Sequence, residues 1–190
     1  MGALGIDFTY DTRGIREKYY PKDATLIGLS LNSNPSGWGN GVTYYSASLN
    51  FRHYTPGLKE DDVWANQFYG KYVTASTPDN GLPTIGKNMI IRGFPIGKYK
   101  ARYLSAFQSE YRYQFTGSKY KSVAFAGVAN LSGGSKGTLF GSRDNNGNYY
   151  SGGIELRYAI QPQAGIDLRV DIVTNSDHEQ SVYVGVNQSF

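Results

Sequence analysis

Residues 166–172, within the stretch Gly165–Val173, alternate strictly between apolar and charged side chains. The two sets are Ile166, Leu168, Val170 and Ile172, and Asp167, Arg169 and Asp171. Successive side chains of a β-strand point to opposite faces, so one face of this strand is apolar and the other is densely charged. The same alternation recurs along most of the chain, which predicts an all-β protein.

The period-two pattern marks nine strand-like segments, and no segment has the periodicity of a helix. They are residues 4–12, 25–33, 42–54, 63–75, 103–115, 121–131, 150–160, 165–174 and 181–190. The faces of the sixth segment cannot be assigned, because it is rich in small residues. We expect a single domain over residues 1–190, folded as an antiparallel transmembrane β-barrel of about eight strands.

The lengths of the segments and of their connections favour a membrane barrel over a soluble one. Segments of about 9 to 13 residues match a tilted strand that crosses a bilayer, whereas strands of soluble sheets average about 5 or 6 residues. The connections alternate between short turns, as at 161–164, and longer loops, as at 76–102, which is typical of outer-membrane barrels. A soluble barrel such as a lipocalin is the alternative, but nothing in its physics requires this asymmetry.

Composition agrees with this interpretation. Mean hydropathy is low, at −0.46, and no run approaches the roughly 20 apolar residues of a membrane-spanning helix. Aromatic residues make up 15% of the chain and cluster at strand ends, as interfacial girdles do. The examples are Tyr19-Tyr20, Tyr44-Tyr45, Tyr111/Tyr113 and Tyr149-Tyr150. The net charge of +4 includes no basic tract, so no nucleic-acid partner is expected.

If the apolar faces meet lipid, ten charged side chains point into the barrel. They are Asp7, Arg52, Lys71, Glu110, Arg112, Glu155, Arg157, Asp167, Arg169 and Asp171. The two signs are equally represented, which indicates a cross-linked interior, whereas a selective ion path would be dominated by one sign. We therefore expect a filled interior and no wide channel.

Four groups of short motifs occur in a recognisable order. They are Tyr10-Asp11-Thr12-Arg13; Ile91-Arg92-Gly93-Phe94; Glu110-Tyr111-Arg112 with Val123–Gly127; and Gly152–Arg157 with Asp167–Asp171 and the terminal Phe190. Together they resemble the C-terminal half of the barrel in the bacterial surface-antigen superfamily, which includes the BamA, TamA and FhaC proteins. The resemblance covers nearly the whole chain and implies an outer-membrane location and a role in outer-membrane biogenesis.

The resemblance also implies roles for individual residues. In that family a long extracellular loop folds into the barrel, and its arginine contacts acidic residues on the inner wall. Arg92 would be that arginine, Glu110 its carboxylate, and Ile91, Gly93 and Phe94 its motif neighbours. The family usually has Asp where Gly127 stands, so the contact with Arg92 is expected either to be weakened or to be taken up by Asp167 or Asp171.

The end of the chain resembles the signal read by the outer-membrane assembly machinery. Tyr183, Gly185 and Phe190 carry this resemblance, whereas Gln188 replaces a usual hydrophobic residue. The family's barrels have sixteen strands, so the chain is expected to close on itself, to dimerise, or to be part of a longer barrel. No secretion leader precedes the first segment, and we expect a mature region with an added start methionine.

Four functions are consistent with these features. The first is a small non-enzymatic barrel without cofactors, and the second is a homodimeric half-barrel that forms a larger translocation or insertion pore. An enzyme is disfavoured, because neither His53 nor His178 lies in a recognisable catalytic motif. Lipopolysaccharide is a candidate ligand beside membrane lipid, through the basic loop residues Lys87, Lys98, Lys100 and Arg102.

Overall fold

The protein is a single antiparallel sheet of nine strands in sequence order. The computed structural model describes residues 2–14, 20–39, 41–86, 90–134, 145–162 and 166–186. The strands are β1 (Leu4–Asp11), β2 (Ala24–Asn34), β3 (Tyr44–Pro56), β4 (Val63–Val73), β5 (Tyr103–Gln114), β6 (Tyr120–Ser132), β7 (Gly147–Gln161), β8 (Ile166–Asn175) and β9 (Gln180–Val186). The predicted all-β fold is confirmed, and each predicted segment corresponds to one strand.

Helical structure is confined to two short 3₁₀ turns within the described residues, Ser36–Trp38 and Asp79–Gly81. No helix in this part of the chain is long and apolar enough to cross a membrane. Each strand pairs with the next along the chain, and the register shifts once, at a bulge between Ala159 and Gln161. The sheet is therefore a simple meander.

The register separates the strands into an outer face, which carries the apolar alternates, and an inner face, which carries the charged ones. For example, Phe8, Leu29 and Leu49 are neighbours on the outer face, whereas Asp7, Ser30 and Ser48 are neighbours on the inner face. All ten charged residues predicted to point inward lie on the inner face.

Pairing with β5 also assigns the faces of β6, which alternation alone could not. Val123, Phe125 and Leu131 lie on the inner face, because their partners on β5 include Arg112 and Glu110. The outer face of β6 carries mainly Ala and Ser, so its apolar signal is weak in the sequence.

Aromatic side chains lie near both ends of the outer face. Tyr45, Tyr72, Tyr103 and Tyr150 lie toward one end, and Tyr10, Trp64, Tyr120 and Tyr158 lie toward the other; all are exposed. In two of the predicted tyrosine pairs, one member of each pair does not belong to the outer girdle. Tyr44 and Tyr149 are buried on the inner face, because consecutive residues of a strand cannot share a face. Tyr19 lies outside the described residues.

Connection lengths alternate through the middle of the sheet and depart from the expectation at both ends. The turns at 57–62 and 115–119 lie at one end, and the loops at 35–43, 74–102 and 133–146 lie at the other. However, the β8–β9 turn at 176–179 lies at the long-loop end, and the long β1–β2 connection at 12–23 lies at the short-turn end.

The two edge strands, β1 and β9, are not paired with each other in the described part of the chain. Nine sequential antiparallel strands leave β1 and β9 running in the same direction. Closure of this sheet by its own edges would therefore create one parallel pair. Two copies would supply eighteen strands, twice nine, and not the sixteen expected from the sequence.

Candidate functional site

The loop between β4 and β5, residues 74–102, folds back over the inner face of the sheet. A buried apolar cluster joins the loop to strands β5, β6 and β7. The loop contributes Ile85, Ile90, Ile91, Phe94 and Ala101, and the strands contribute Leu104, Ala106, Ala129, Leu131 and Tyr149. Burial of this cluster holds the loop inside the sheet, at a typical gain of about 1.5–3 kcal/mol per large apolar side chain.

Arg92 extends from this loop into a cluster of three buried carboxylates. Its Nη2 lies 2.5 Å from Glu110 Oε1, and its Nη1 lies 2.7 Å from Glu155 Oε2 and 3.0 Å from Asp171 Oδ2. All three carboxylates are fully buried, and Arg92 is 3% exposed. The carboxylates come from β5, β7 and β8, so a single guanidinium connects three strands to the loop.

The guanidinium of Arg92 also stacks on an aromatic ring. Its Cζ lies 3.6 Å from the centre of the Phe125 ring on β6. A planar guanidinium is suited to stacking and to several carboxylates at once, which an ammonium is not. Phe125 was not predicted as a site residue, because its strand showed no clear alternation in the sequence.

Three further arginines surround the carboxylates. Arg112 Nη2 lies 2.9 Å from Glu110 Oε2, Arg157 Nε contacts Glu155, and Arg169 Nη1 lies 3.7 Å from Asp171 Oδ2. We call these four arginines and their three carboxylates the Arg92 network. Each carboxylate serves at least two cations, which offsets the cost of burying it.

Asp167 is not part of the Arg92 network. Its carboxylate pairs with Lys121 of β6, with Nζ and Oδ2 3.1 Å apart. Of the two aspartates expected to replace the missing family carboxylate, Asp171 therefore contacts Arg92 and Asp167 does not. Glu155 is the additional direct partner, which the sequence interpretation placed in the interior without pairing it to Arg92.

Contact with the loop explains why residue 127 is a glycine. A Cβ atom on Gly127 would lie 2.6 Å from Ile91 Cγ2 and 3.1 Å from Gln108 Cβ. Ile91 is fully buried in the space that a side chain would otherwise fill. A glycine at this position thus allows an apolar contact between β6 and the loop.

The backbone at Ile91 is unusual for a β-branched residue. Its φ is +50°, and Gly93 follows with φ +100°. A positive φ is costly for isoleucine, so packing must hold it there. Asn175 of β8 contributes, because its side-chain Nδ2 donates a 2.7 Å hydrogen bond to the carbonyl oxygen of Gly93. Asn175 was not predicted, since a single asparagine at a strand end carries no distinctive signal.

A second set of contacts fixes the loop at the long-loop end of the sheet. Phe94 packs edge-on against Tyr99 and Tyr149. Tyr99 Oη donates a 2.5 Å hydrogen bond to Asp177, and Lys98 Nζ lies 2.7 Å from Asp177 and 2.8 Å from Glu179. The hydrogen bonds to these carboxylates raise the pKa of Lys98, and the hydrogen bond from Lys98 lowers the pKa of Glu179.

The basic loop residues suggested as a lipopolysaccharide site have partners within the protein. Lys98 binds the β8–β9 turn, Lys100 Nζ lies 2.5 Å from Asp79, and Arg102 donates to the carbonyl oxygen of Gly133. Lys87 lies outside the described residues. A lipid phosphate at Lys98 or Lys100 would therefore compete with Asp177, Glu179 and Asp79, and the lipopolysaccharide site stays a prediction.

The remaining predicted residues form no reactive cluster in the part of the chain that is described. His53 shares a 3.0 Å hydrogen bond with Thr25 Oγ1, and His178 lies in the β8–β9 turn. A search of the described residues finds no group of three potential metal ligands. Tyr183 and Gly185 lie on the inner face of β9, opposite Asp171 and Arg169, whereas Phe190 lies outside the described residues.

Comparison with known proteins assigns no family. No protein-family model matches the chain. No curated protein matches it either.

Proposed function

We propose that the chain forms part of the wall of a bacterial outer-membrane β-barrel, with its outer face against lipid and loop 74–102 filling the interior. We further propose a non-enzymatic role in outer-membrane biogenesis, which the motif resemblance supports. The single observation that carries the proposal is the inverted polarity of the sheet.

The inversion is large on both sides of the sheet. On the inner face, Glu110 and Asp171 are fully buried. On the outer face, Ile6 is 76% exposed and Val184 is 71% exposed. Apolar residues are exposed on the outer face of all nine strands, whereas soluble monomers rarely expose contiguous apolar patches beyond a few hundred Å². Contact with acyl chains removes this surface from water, which stabilises the fold by about 25 cal/mol per Å².

The two tryptophans provide a direct test. Trp64 lies on the outer face of β4, and Trp38 lies in the 3₁₀ turn between β2 and β3. We expect that in vesicles containing brominated lipids the fluorescence of the Trp38→Phe variant, which retains Trp64, is strongly quenched. The matched Trp64→Phe variant, which retains Trp38, should be quenched much less. Equal quenching, or a folded protein that stays monomeric in water without detergent, would refute the membrane assignment.

The homodimer is a second candidate, because both sheet edges are unpaired in the described residues. Unpaired backbone groups in lipid cost several kcal/mol each, so a membrane sheet needs a partner for its edges. A two-fold axis along the membrane normal would join β9 of one copy to β1 of the other. Since these strands run in the same direction, the dimer would have two parallel seams.

Native mass in detergent distinguishes the two candidates. We expect a heat-modifiable monomer if the chain closes on itself or through another segment. A stable dimer whose cross-links join β1 to β9 would instead establish the eighteen-stranded arrangement.

A further inference from the structure

A cavity lies on the inner face beside the β9 edge. Its volume is about 270 Å³, and it is bounded by Arg92 of the loop, Arg169 and Asp171 of β8, and Tyr183 and Gly185 of β9. Val184 and Val186 complete the lining, so polar and apolar groups both border the cavity, in contrast to the apolar grooves of the outer face. The cavity adjoins the Arg92 network, but Arg92 holds its three carboxylates without it.

We propose that this cavity binds a phosphate group through Arg169. The Nε and Nη1 atoms of Arg169 are buried and have no hydrogen-bond partner among the described residues. The Nε atom of Arg92 is also buried and has no hydrogen-bond partner in the described part of the chain. The two guanidinium groups that border the cavity therefore carry several unused donors.

The charge of Arg169 is poorly compensated within the protein. Its nearest ion-pair contact is Asp171, at 3.7 Å from Nη1 to Oδ2. The same Oδ2 atom lies closer to Arg92, at 3.0 Å. One carboxylate oxygen thus contacts two guanidinium groups, and Arg169 is the more distant of the two. Water in the cavity would satisfy donors, but it would bring no negative charge to a buried cation.

Asp171, which also borders the cavity, carries one unused acceptor: its Oδ1 atom is buried and has no hydrogen-bond partner in the described residues. A carboxylate ligand has no proton to donate to this oxygen, and it would be repelled. A protonated phosphate has both acceptor oxygens for the arginines and a hydroxyl for Asp171. This combination favours a phosphate group over a carboxylate.

Gly185 provides the space beside the guanidinium. A Cβ atom at this position would lie 3.2 Å from Arg169 Nε. A side chain there would displace or cover the donor that we assign to the ligand. The glycine therefore leaves the Nε edge of Arg169 without a side chain beside it.

The experiment titrates the refolded full chain in detergent with inorganic phosphate and follows binding by calorimetry. We expect saturable binding of phosphate to the parent chain. The affinity should fall by about tenfold or more in Arg169→Gln, because the variant loses at least one charge-assisted hydrogen bond. The matched control is Arg52→Gln, which removes an inner-face arginine on β3, away from the cavity, and should bind as the parent does. Gly185→Ala serves as a second variant that weakens binding without removing charge, should Arg169→Gln fail to fold.

Further titrations identify the form of the ligand. Acetate should bind more weakly than phosphate, because it cannot donate to Asp171. Phosphatidic acid in mixed micelles separates a lipid phosphate from a free one: tighter binding than inorganic phosphate assigns the site to lipid, and weaker binding assigns it to a soluble phosphate. Absence of binding by both phosphates, or equal weakening in the Arg52 and Arg169 variants, would overturn the proposal. The cavity depends on the folded sheet and not on lipid, so this result is independent of the tryptophan test.

Discussion

The inner face of the sheet has two regions that differ in what covers them. Strands β5 to β8 lie under loop 74–102, and their charged side chains are buried in ion pairs. Strand β1 carries no such cover, and every one of its residues is exposed. Asp7 on β1 and Glu110 on β5 both lie on the inner face. Asp7 accepts a hydrogen bond from Ser30 and has no ion pair within the described residues, whereas Glu110 meets several arginines. The loop, and not the charge pattern, therefore decides which part becomes a core.

The largest effect should come from removing the arginine that joins the loop to the covered region. Arg92→Ala leaves Glu110, Glu155 and Asp171 without their shared partner, and breaking a buried ion pair in this way typically costs about 3–5 kcal/mol. Urea unfolding in detergent measures the change. Asp7→Ala, on the uncovered strand β1, is the control and should cost about 1 kcal/mol or less, because Asp7 is exposed and contacts Ser30. Equal losses would mean that the two regions do not differ in the way we describe.

A smaller effect should follow from adding one methyl group beneath the loop. Gly127→Ala places a Cβ against Ile91, and such overpacking typically costs about 1–3 kcal/mol. The control is Gly28→Ala on β2, where the nearest atom would be 3.9 Å away and no clash is expected. The double variant Gly127→Ala with Ile91→Ala, which removes the clashing Cγ2, should be more stable than the sum of the two single losses predicts. A Gly127→Ala variant as stable as the parent would show that the loop does not press on β6.

The next effect concerns the polar contact that supports the loop backbone. Asn175→Ala removes the hydrogen bond to the carbonyl of Gly93, and we expect a loss of about 1–2 kcal/mol. Limited proteolysis should then cleave within residues 90–102 faster than in the parent. Unchanged cleavage would indicate that apolar burial alone holds the loop.

The smallest effect should be a pH dependence of the outer attachment of the loop. Because its pKa is lowered in the folded state, Glu179 stabilises the attachment above its ordinary pKa of 4.5, and this contribution is lost as the pH falls through the folded value. The pKa of Lys98 is raised in the folded state. Lys98 therefore stabilises the attachment below its ordinary pKa of 10.5, and this contribution is lost as the pH rises through the folded value. Asp177 contacts the same lysine, and Tyr99 donates a hydrogen bond to Asp177.

Proteolysis of the loop at pH 7 and at pH 3.5 measures this dependence, with Glu179→Gln as the comparison. The parent should lose protection on acidification by more than the variant, whose protection at pH 7 is already reduced. If both change equally, other carboxylates account for the acid response. Lys59, in the β3–β4 turn away from the loop, provides a charge-removal control as Lys59→Gln.

The sequence alone predicted the strands and their faces wherever apolar and charged residues alternate, because alternation is a local property of an extended backbone. It failed for β6, whose small residues show no contrast, and for Tyr44 and Tyr149, whose aromatic rings lie on the inner face. Motif resemblance selected Arg92 and Glu110, which are in contact. It could not choose between Asp167 and Asp171, since both lie on the same face of one strand.

The residue sequence thus determined a nine-stranded meander with one apolar and one charged face. The tertiary structure decided the rest: which carboxylates Arg92 meets, why Gly127 has no side chain, and where Asn175 and Phe125 act. These features arise when a loop contacts strands that lie far away along the chain. Such contacts depend on distances between side chains in three dimensions, and no local pattern of residues records them.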